Sequence, residues 1–426
     1  MKKTLQTIAA IAIFSTASLA QRTLLHCGTF IDVTKGNTQS QVTVIVEGKR
    51  VTGVQTGYLA PKGTDKVIDL KSKTVMPGLT DMHVHIEGET SKDQLVKRYQ
   101  FNQADVAFEA ARNAKTTLMA GFTSVRDLGG SGVNIALRNA ISKGIAVGPR
   151  IYTAGRTIAT TGGHGDPTNA LSENYTPDPH MVTGVINGAE EARQAVRQRY
   201  KDGSDCIKIT ATGGVLSIAK NGKAPQFQDD ELEAIIKTAK DYGFHVAAHA
   251  HGAEGIKRAA KAGVTTIEHG TFMDDEAIDI MKQKGTYLVA TILAGKTVAD
   301  SAKVPGYYHP LVVPKALETG PLIQNMFGKA YKAGVKIAFG TDSGVSLHGL
   351  NAYEFQYMVE AGMPAIEAIQ AATVTPAKIL GVEKDLGSIE AGKFADIIAT
   401  DGNPLQDISQ MRKVSFVMKD GVVYKQ

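Results

Sequence analysis

A short apolar run, then a loop, then a helical stretch: this unit recurs eight times between residues 75 and 382, and no other pattern in the chain limits its fold so tightly. The apolar runs are VMPGLTDMHVH, GFTSVRDLGG, RIYTAGRTI, DCIKITATGG, HVAAHAHG, TTIEHGT, TYLVATIL and KIAFGTDSG. Between them lie stretches such as NGAEEARQAVRQRYKDG and DDELEAIIKTAKDYG, apolar at the three- and four-residue intervals of an amphipathic helix. Strands that alternate with helices pair in parallel, and eight such units close into a (β/α)8 TIM barrel, an α/β fold. The flanks read differently. TLLHCGTFIDV, QVTVIVEGKRVTGVQ and KVIDL fall within residues 21–74, and GKFADIIATDG and VSFVMKDGVVYKQ within 383–426. These are short β segments separated by turn residues. The two chain ends are therefore expected to fold together into a small β-sandwich beside a barrel spanning 75–382.

The chain of 426 residues is 43% hydrophobic and 21% charged, an ordinary globular composition. Its formal charge of +5 is scattered rather than gathered into basic runs, so nucleic acid is not an expected partner. Residues 1–20 have the form of a signal peptide. Lys2 and Lys3 precede the apolar LQTIAAIAIFSTASLA, and Ser18-Leu19-Ala20 fits a small-residue cleavage site. The run is too short to span a bilayer comfortably. Cleavage after Ala20 would remove two lysines, lower the formal charge to +3 and leave an exported protein, periplasmic or secreted. No second long apolar run suggests a membrane partner. Arg22 and His26 argue against a lipid anchor at Cys27. Two cysteines make no disulfide framework, and Cys206, within DCIKIT, reads as a small buried hydrophobe.

Barrel enzymes build their sites at the C-terminal ends of the strands. Strand one here ends in His83 and His85, two positions apart and so on one face. Strand four carries Lys208, strand five His249, strand six His269 and strand eight Asp342. Taken singly, His269 reads as a hydrogen-bonded core histidine and Asp342 as a turn or N-cap residue. Five strand ends that all carry such groups are a different matter. Lys208 is the most telling, because lysine is rarely buried unless paired. Ile207 and Ile209 flank it, which puts it on the opposite, barrel-facing side. As an ammonium it would repel a cation. As a free amine it can react with CO2, and the resulting carbamate is an anion with two oxygens that can bridge two ions.

With an HxH pair on strand one, lysine on strand four, histidines on strands five and six and aspartate on strand eight, the chain resembles the binuclear amidohydrolase superfamily. The resemblance covers the whole mature chain, from PGLTDMHVH to LGSIEAGKFADII. TGGHGD, HAHG, IEHGT and FGTDSG are similar to the Xaa-Pro dipeptidase and carboxypeptidase-like branch, which includes ochratoxin-hydrolysing amidohydrolases. The resemblance implies two divalent ions, zinc by default. His83, His85 and Asp342 would hold one, His249 and His269 the other, and carboxylated Lys208 would bridge them. Asp342 would also carry the catalytic proton to the leaving nitrogen. Three further histidines are candidate substrate-binding residues: His164 on a glycine-rich loop, His251 where relatives often show tyrosine, and His348 in SLHGLN. His26, His180, His245 and His309 read as structural or solvated.

The expected reaction is hydrolysis of the amide that joins an acyl group to a C-terminal amino acid. Small-molecule substrates of this kind are dipeptides, N-acyl amino acids and ochratoxin A, which would yield phenylalanine and the acyl acid. A homo-oligomer is expected. The ligand set alone also admits a cyclic-amide hydrolase, dihydroorotase- or imidazolonepropionase-like. Mononuclear deaminases lack the bridging lysine, and a non-catalytic barrel would be expected to have lost ligands, whereas none is missing here.

Overall fold

The computed structural model describes residues 21–172, 174 and 178–426; the export segment expected over residues 1–20 lies outside them. Both chain ends meet in one β domain. Its strands β1 (Arg22–Asp32), β2 (Asn37–Glu47), β3 (Arg50–Thr56) and β4 (Lys66–Pro77) join β15 (Ile397–Thr400), β16 (Val414–Lys419) and β17 (Val422–Lys425). They form a continuous seven-stranded sheet in the order β17-β16-β15-β4-β1-β2-β3. Period-two alternation decides what each face covers. Ile397 and Ala399 point into the domain's own core with Val42, Val44 and Phe416, whereas Ile398 between them packs into the barrel core with Ile31 and Met76. Cys27 lies in the core of the β domain and Cys206 in the barrel, and both are free thiols.

No linker separates the two domains. β4 runs through Gly78 straight into the first barrel strand, β5 (Leu79–Val84). Glycine is required at this crossing, because a Cβ there would run into the side chain of Thr123. The barrel continues through β6 (Phe122–Asp127), β7 (Arg150–Thr153), β10 (Ile207–Thr210), β11 (Val246–Gly252), β12 (Thr266–Phe272), β13 (Tyr287–Val289) and β14 (Lys336–Ile337). A two-stranded parallel pair, β8 (Ala159–Thr160) with β9 (Val185–Ile186), lies outside this series. Helices appear where the apolar periodicity puts them, for example Ala189–Asp202 and Asp229–Asp241.

The barrel wall consists of two parallel sheets, β5-β6-β7 and β10-β11-β12-β13-β14, joined by isolated bridges at two seams. At one seam the Ile158 amide donates to the Lys208 carbonyl at 2.8 Å and the Thr210 amide to the Ile158 carbonyl at 3.1 Å. At the other the Met82 amide donates to Phe339 at 2.9 Å, and the Asp342 amide to His83 at 2.7 Å. Strand eight is therefore shorter than KIAFGTDSG suggests. Lys336 and Ile337 pair with β13 and the Ala338 amide still bonds to Leu288, but beyond it the Phe339 carbonyl and the Asp342 amide bond to β5. Strand seven is also cut short. Thr291 adopts φ +55° and the helix Ile292–Ala302 starts at once. Among the described residues, no helix is long and apolar enough to cross a membrane.

Candidate metal centre and active site

The seams bring together the residues that the strand-end pattern singled out. His83, His85, Lys208, His249, His269 and Asp342 all line one cavity of about 270 Å³ at the C-terminal mouth of the barrel, with His164 and His251 beside them. His83 Nε2 lies 3.4 Å and His85 Nε2 3.3 Å from Oδ1 of Asp342. Lys208 Nζ stands 3.4 Å from the same His83 nitrogen. Donor atoms of His83, His269 and Asp342 lie within 4.8 Å of one another, as do those of His249, His251 and His269. His269 thus sits between two clusters. His251, expected against substrate, stands among the potential donors.

Five of these imidazoles, all but His164, are tethered through one ring nitrogen. His83 Nδ1 donates to Glu268 Oε2 at 2.9 Å, His85 Nδ1 to the Gly129 carbonyl at 2.9 Å and His249 Nε2 to the Gly213 carbonyl at 3.0 Å. These acceptors carry no proton, so each tautomer is fixed and the second nitrogen presents a lone pair. His251 and His269 use Nδ1 on the hydroxyls of Thr271 (2.9 Å) and Thr291 (2.7 Å). Such outer partners orient a ligating histidine and raise its basicity. Oδ1 of Asp342 is buried with no hydrogen-bond partner, an oxygen that calls for a cation. The donor set therefore fits metal ions.

Electrostatics agree with the geometry. Burial pushes His83 down to about 4 and His251 to about 3, and takes His249 and His269 well below the usual imidazole value. All four are neutral at pH 7 and can offer a lone pair. His85 goes the other way, because Asp342 outweighs the burial that disfavours its charge. Burial also pushes Asp342 upward, but His83 and His85 hold it below its ordinary range. Lys208 is lowered to about 8 by burial, so about a tenth of its amine is already unprotonated at pH 7.

Two supporting residues had escaped the sequence pattern. Glu268, fully buried, accepts from His83 and from Thr266, and pairs with Arg126 Nη2 at 2.9 Å. Although burial alone would raise it, the Arg126 guanidinium holds the Glu268 carboxyl down to about 2. Arg126 in turn donates to the carbonyl of Met82 at 2.7 Å, bracing the strand that delivers His83. A buried Glu–Arg pair beside a ligand could have been suspected from IEHG and SVRD, but no spacing rule marks it.

The remaining histidines separate clearly. The His164 ring rests against Gly214, where any Cβ would collide with it, and lies 4.3 Å from the His249 ring. Its Nδ1 has no partner, and burial lowers it to about 4. His348 does not reach the cavity. Its ring contacts the Thr117 hydroxyl and the His85 carbonyl, both at 3.2 Å. The place expected for substrate is thus replaced by a strut beneath the HxH segment. His245, read as structural or solvated, is buried and lowered to about 3.

Comparison with known proteins agrees with this geometry. A family model described as the amidohydrolase family matches residues 74–424. A crystal structure of a Xaa-Pro dipeptidase with methionine bound in its active site is 51% identical, covers 95% of this chain and 100% of its own, and has a TM-score of 0.93. A prolidase complexed with N-methylphosphonate-L-proline is 31% identical, covering 95% and 100%, at a TM-score of 0.87. Ochratoxinase from Aspergillus niger is 35% identical over 368 residues, 82% of this chain and 75% of that protein. Its crystal structure superposes at a TM-score of 0.82, covering 96% of each chain.

Two outcomes follow from this arrangement. After metal removal by chelation, stability should fall as pH drops from about 6.5 towards about 4. The folded-state values of the buried histidines lie below the unfolded value, so in that window the unfolded chain binds more protons and the slope of stability with pH is positive. Each histidine contributes about 1.4 kcal/mol per pH unit. Denaturant unfolding of the chelated protein at several pH values reads this directly, and a flat profile would show that the histidines are solvated. Second, Glu268→Gln should weaken metal retention by about 10–100-fold, measured by competition with a chromophoric chelator. Unchanged retention would mean that packing alone aligns His83.

Proposed function

This chain belongs to the amidohydrolase family and is a hydrolytic, metal-dependent enzyme of that superfamily, and from that premise we propose that it is a binuclear hydrolase of the amide joining an acyl group to a C-terminal amino acid. The observation that carries the reading is the set of five tethered imidazoles in two clusters that share His269, one of them around the unpartnered Asp342 oxygen. Dipeptides, N-acyl amino acids and ochratoxin A-type amides are the substrates of choice. The similar Xaa-Pro dipeptidase and ochratoxinase support this class.

His83, His85 and Asp342 would hold one ion, His249 and His269 the second, and a carbamate on Lys208 would join them. The Lys208 amine forms a bond to CO2 and loses a proton, and burial in this pocket favours that neutral starting amine. A donor set rich in imidazole nitrogen suits zinc better than magnesium or calcium. Bound there, the two ions would supply Lewis acidity for the amide carbonyl and lower the pKa of an attacking water.

The protein's own groups do the rest. Asp342 accepts the proton of the attacking water and passes it to the amide nitrogen, which must be protonated to leave. His164 is neutral at pH 7 and lines the cavity beside the site, where its ring would hydrogen-bond the developing oxyanion or the substrate carboxylate. Export, inferred from Lys2, Lys3 and the Ser18-Leu19-Ala20 site, would give such an enzyme access to extracytoplasmic peptides and xenobiotics.

The test is a hydrolysis screen of dipeptides and N-acyl amino acids, ochratoxin A included, with metal content measured on the same preparation. Close to two divalent ions per chain and amino-acid release are expected; full activity with fewer than one ion per chain defeats the binuclear reading. Lys208→Ala should lose metal and activity, and short carboxylates should restore part of both. Lys208→Arg should stay inactive, because a guanidinium remains protonated and forms no carbamate. An active Lys208→Arg enzyme would reduce Lys208 to a structural role.

A further inference from the structure

The cavity has two unlike halves. Its floor is polar and comes from strand ends, whereas its wall is largely apolar, with Thr157 and Thr319 the exceptions, and comes from helices and loops beyond them. We infer that the wall is the specificity pocket for the side chain of the departing amino acid, and that it takes large apolar side chains, aromatic or aliphatic, over charged ones. The inference rests on the amide-hydrolase reading and carries it one step further, to the class of residue released.

Position comes first. The leaving nitrogen must reach Asp342 to receive its proton, so the amino acid it belongs to lies on the side of the barrel where Asp342 stands. The chain just after Asp342 places Val345 in the cavity. The neighbouring strand β13 leads into the helix Ile292–Ala302, which contributes Ala294 and Val298. The helix Val313–Lys332 adds Ala316, and Val215 closes the wall from the segment after β10. Val215, Val298 and Ala316 belong to one apolar cluster, with Val345 packed against it, so the surface is continuous. Alanines at 294 and 316 leave space where larger side chains would fill it. The two helices cannot draw together to close that space, because Gly295 and Gly320 already bring them into close contact.

Charge decides what fills the space. Asp342 is the one acidic group among the described residues that line the cavity. A lysine or arginine side chain seated on this wall would leave water without a counter-ion, which is costly. Lys315 adds to that penalty from behind. Its Nζ donates to the carbonyls of Gly214 (2.9 Å) and Ser217 (2.7 Å) in the segment that carries Val215. An acidic side chain would be attracted by Lys315, but that ammonium is already engaged by the Gly214 and Ser217 carbonyls, and a carboxylate on the apolar wall bears the same desolvation cost. The amides at the start of the Ile292–Ala302 helix would attract it, but Glu354 already occupies those of Ile292 (2.8 Å) and Leu293 (2.7 Å). An apolar side chain meets none of these penalties and gains from burial.

The experiment compares the metal-loaded enzyme on N-acetyl amino acids ending in Phe, Leu, Met, Ala, Lys, Arg and Glu. Values of kcat/KM for Phe, Leu and Met at least tenfold above those for Lys, Arg and Glu are expected; equal or reversed values overturn the inference. Ala316→Phe should shift the Phe-to-Ala preference at least tenfold towards Ala. Val298→Asp should shift the Phe-to-Lys preference at least tenfold towards Lys. Two folded variants with unchanged preferences would also overturn it. If no amide is cleaved, the reaction reading fails and calorimetric binding of the free amino acids decides. Tighter binding of Phe than of Lys then upholds the pocket, and equal or weaker binding removes it.

Discussion

The catalytic mouth depends on one backbone constraint: Asp342 sits in the left-handed region at φ +56°, its amide held by the carbonyl of His83 at 2.7 Å. That hydrogen bond closes the barrel between its last and first strands. It also turns the Asp342 carboxylate towards the Nε2 atoms of His83 and His85. Barrel closure and assembly of the donor cluster are thus one event. His269 (φ +72°) and Thr291 (φ +55°) share the same unusual conformation, and Thr291 is the residue that tethers His269. Non-glycine residues in this region cost about 1–3 kcal/mol each and persist where the surroundings over-determine them. Here the surroundings are the seam, the Glu354-capped helix and the Glu268–Arg126 pair.

The architecture and the donors were legible in the sequence because both obey simple periodicities. Eight repeats of strand and helix imply a barrel, and the chemistry of a barrel collects at one end of its strands. Lys208 could be read because Ile207 and Ile209 place it on the opposite face. The support around the donors was not legible, and the reasons are physical. Gly129 and Gly213 act through carbonyls, which every residue has, so no side chain advertises them. Glu268 and His269 are adjacent and should face opposite ways on a regular strand. Both point inward because His269 leaves the pleat with its positive φ. His348 misled for the converse reason. A histidine in SLHGLN, just beyond a strand end that carries Asp342, reads as a substrate contact, yet its ring turns back to the His85 carbonyl.

Burial organises the charges as well as the positions. Imidazoles in a dry pocket lose the protonated form first, which turns the cluster into a set of lone pairs at neutral pH. The same burial brings Lys208 down to about 8, so the environment that keeps the imidazoles neutral also frees part of the amine. Charge that must remain is kept in the Glu268–Arg126 pair, which stands one layer behind the donors. An uncompensated carboxylate in that place would compete with Asp342 for cations. Paired with Arg126, Glu268 orients His83 without doing so.

The division of labour between floor and wall follows from how each is built. The floor comes from strand ends whose backbones are fixed by ladder and seam hydrogen bonds, and moving any donor there would open the barrel. The wall comes from side chains on helices that begin after the strands finish, and exchanging Ala294, Val298 or Ala316 disturbs no ladder. Chemistry is therefore tied to the fold, whereas the choice of substrate is tied to a few apolar side chains. A chain built this way can keep one reaction while the residue it releases changes, because the two properties reside in different elements. The link between them is Thr291. It ends the strand side, holds His269, and starts the helix that forms the wall.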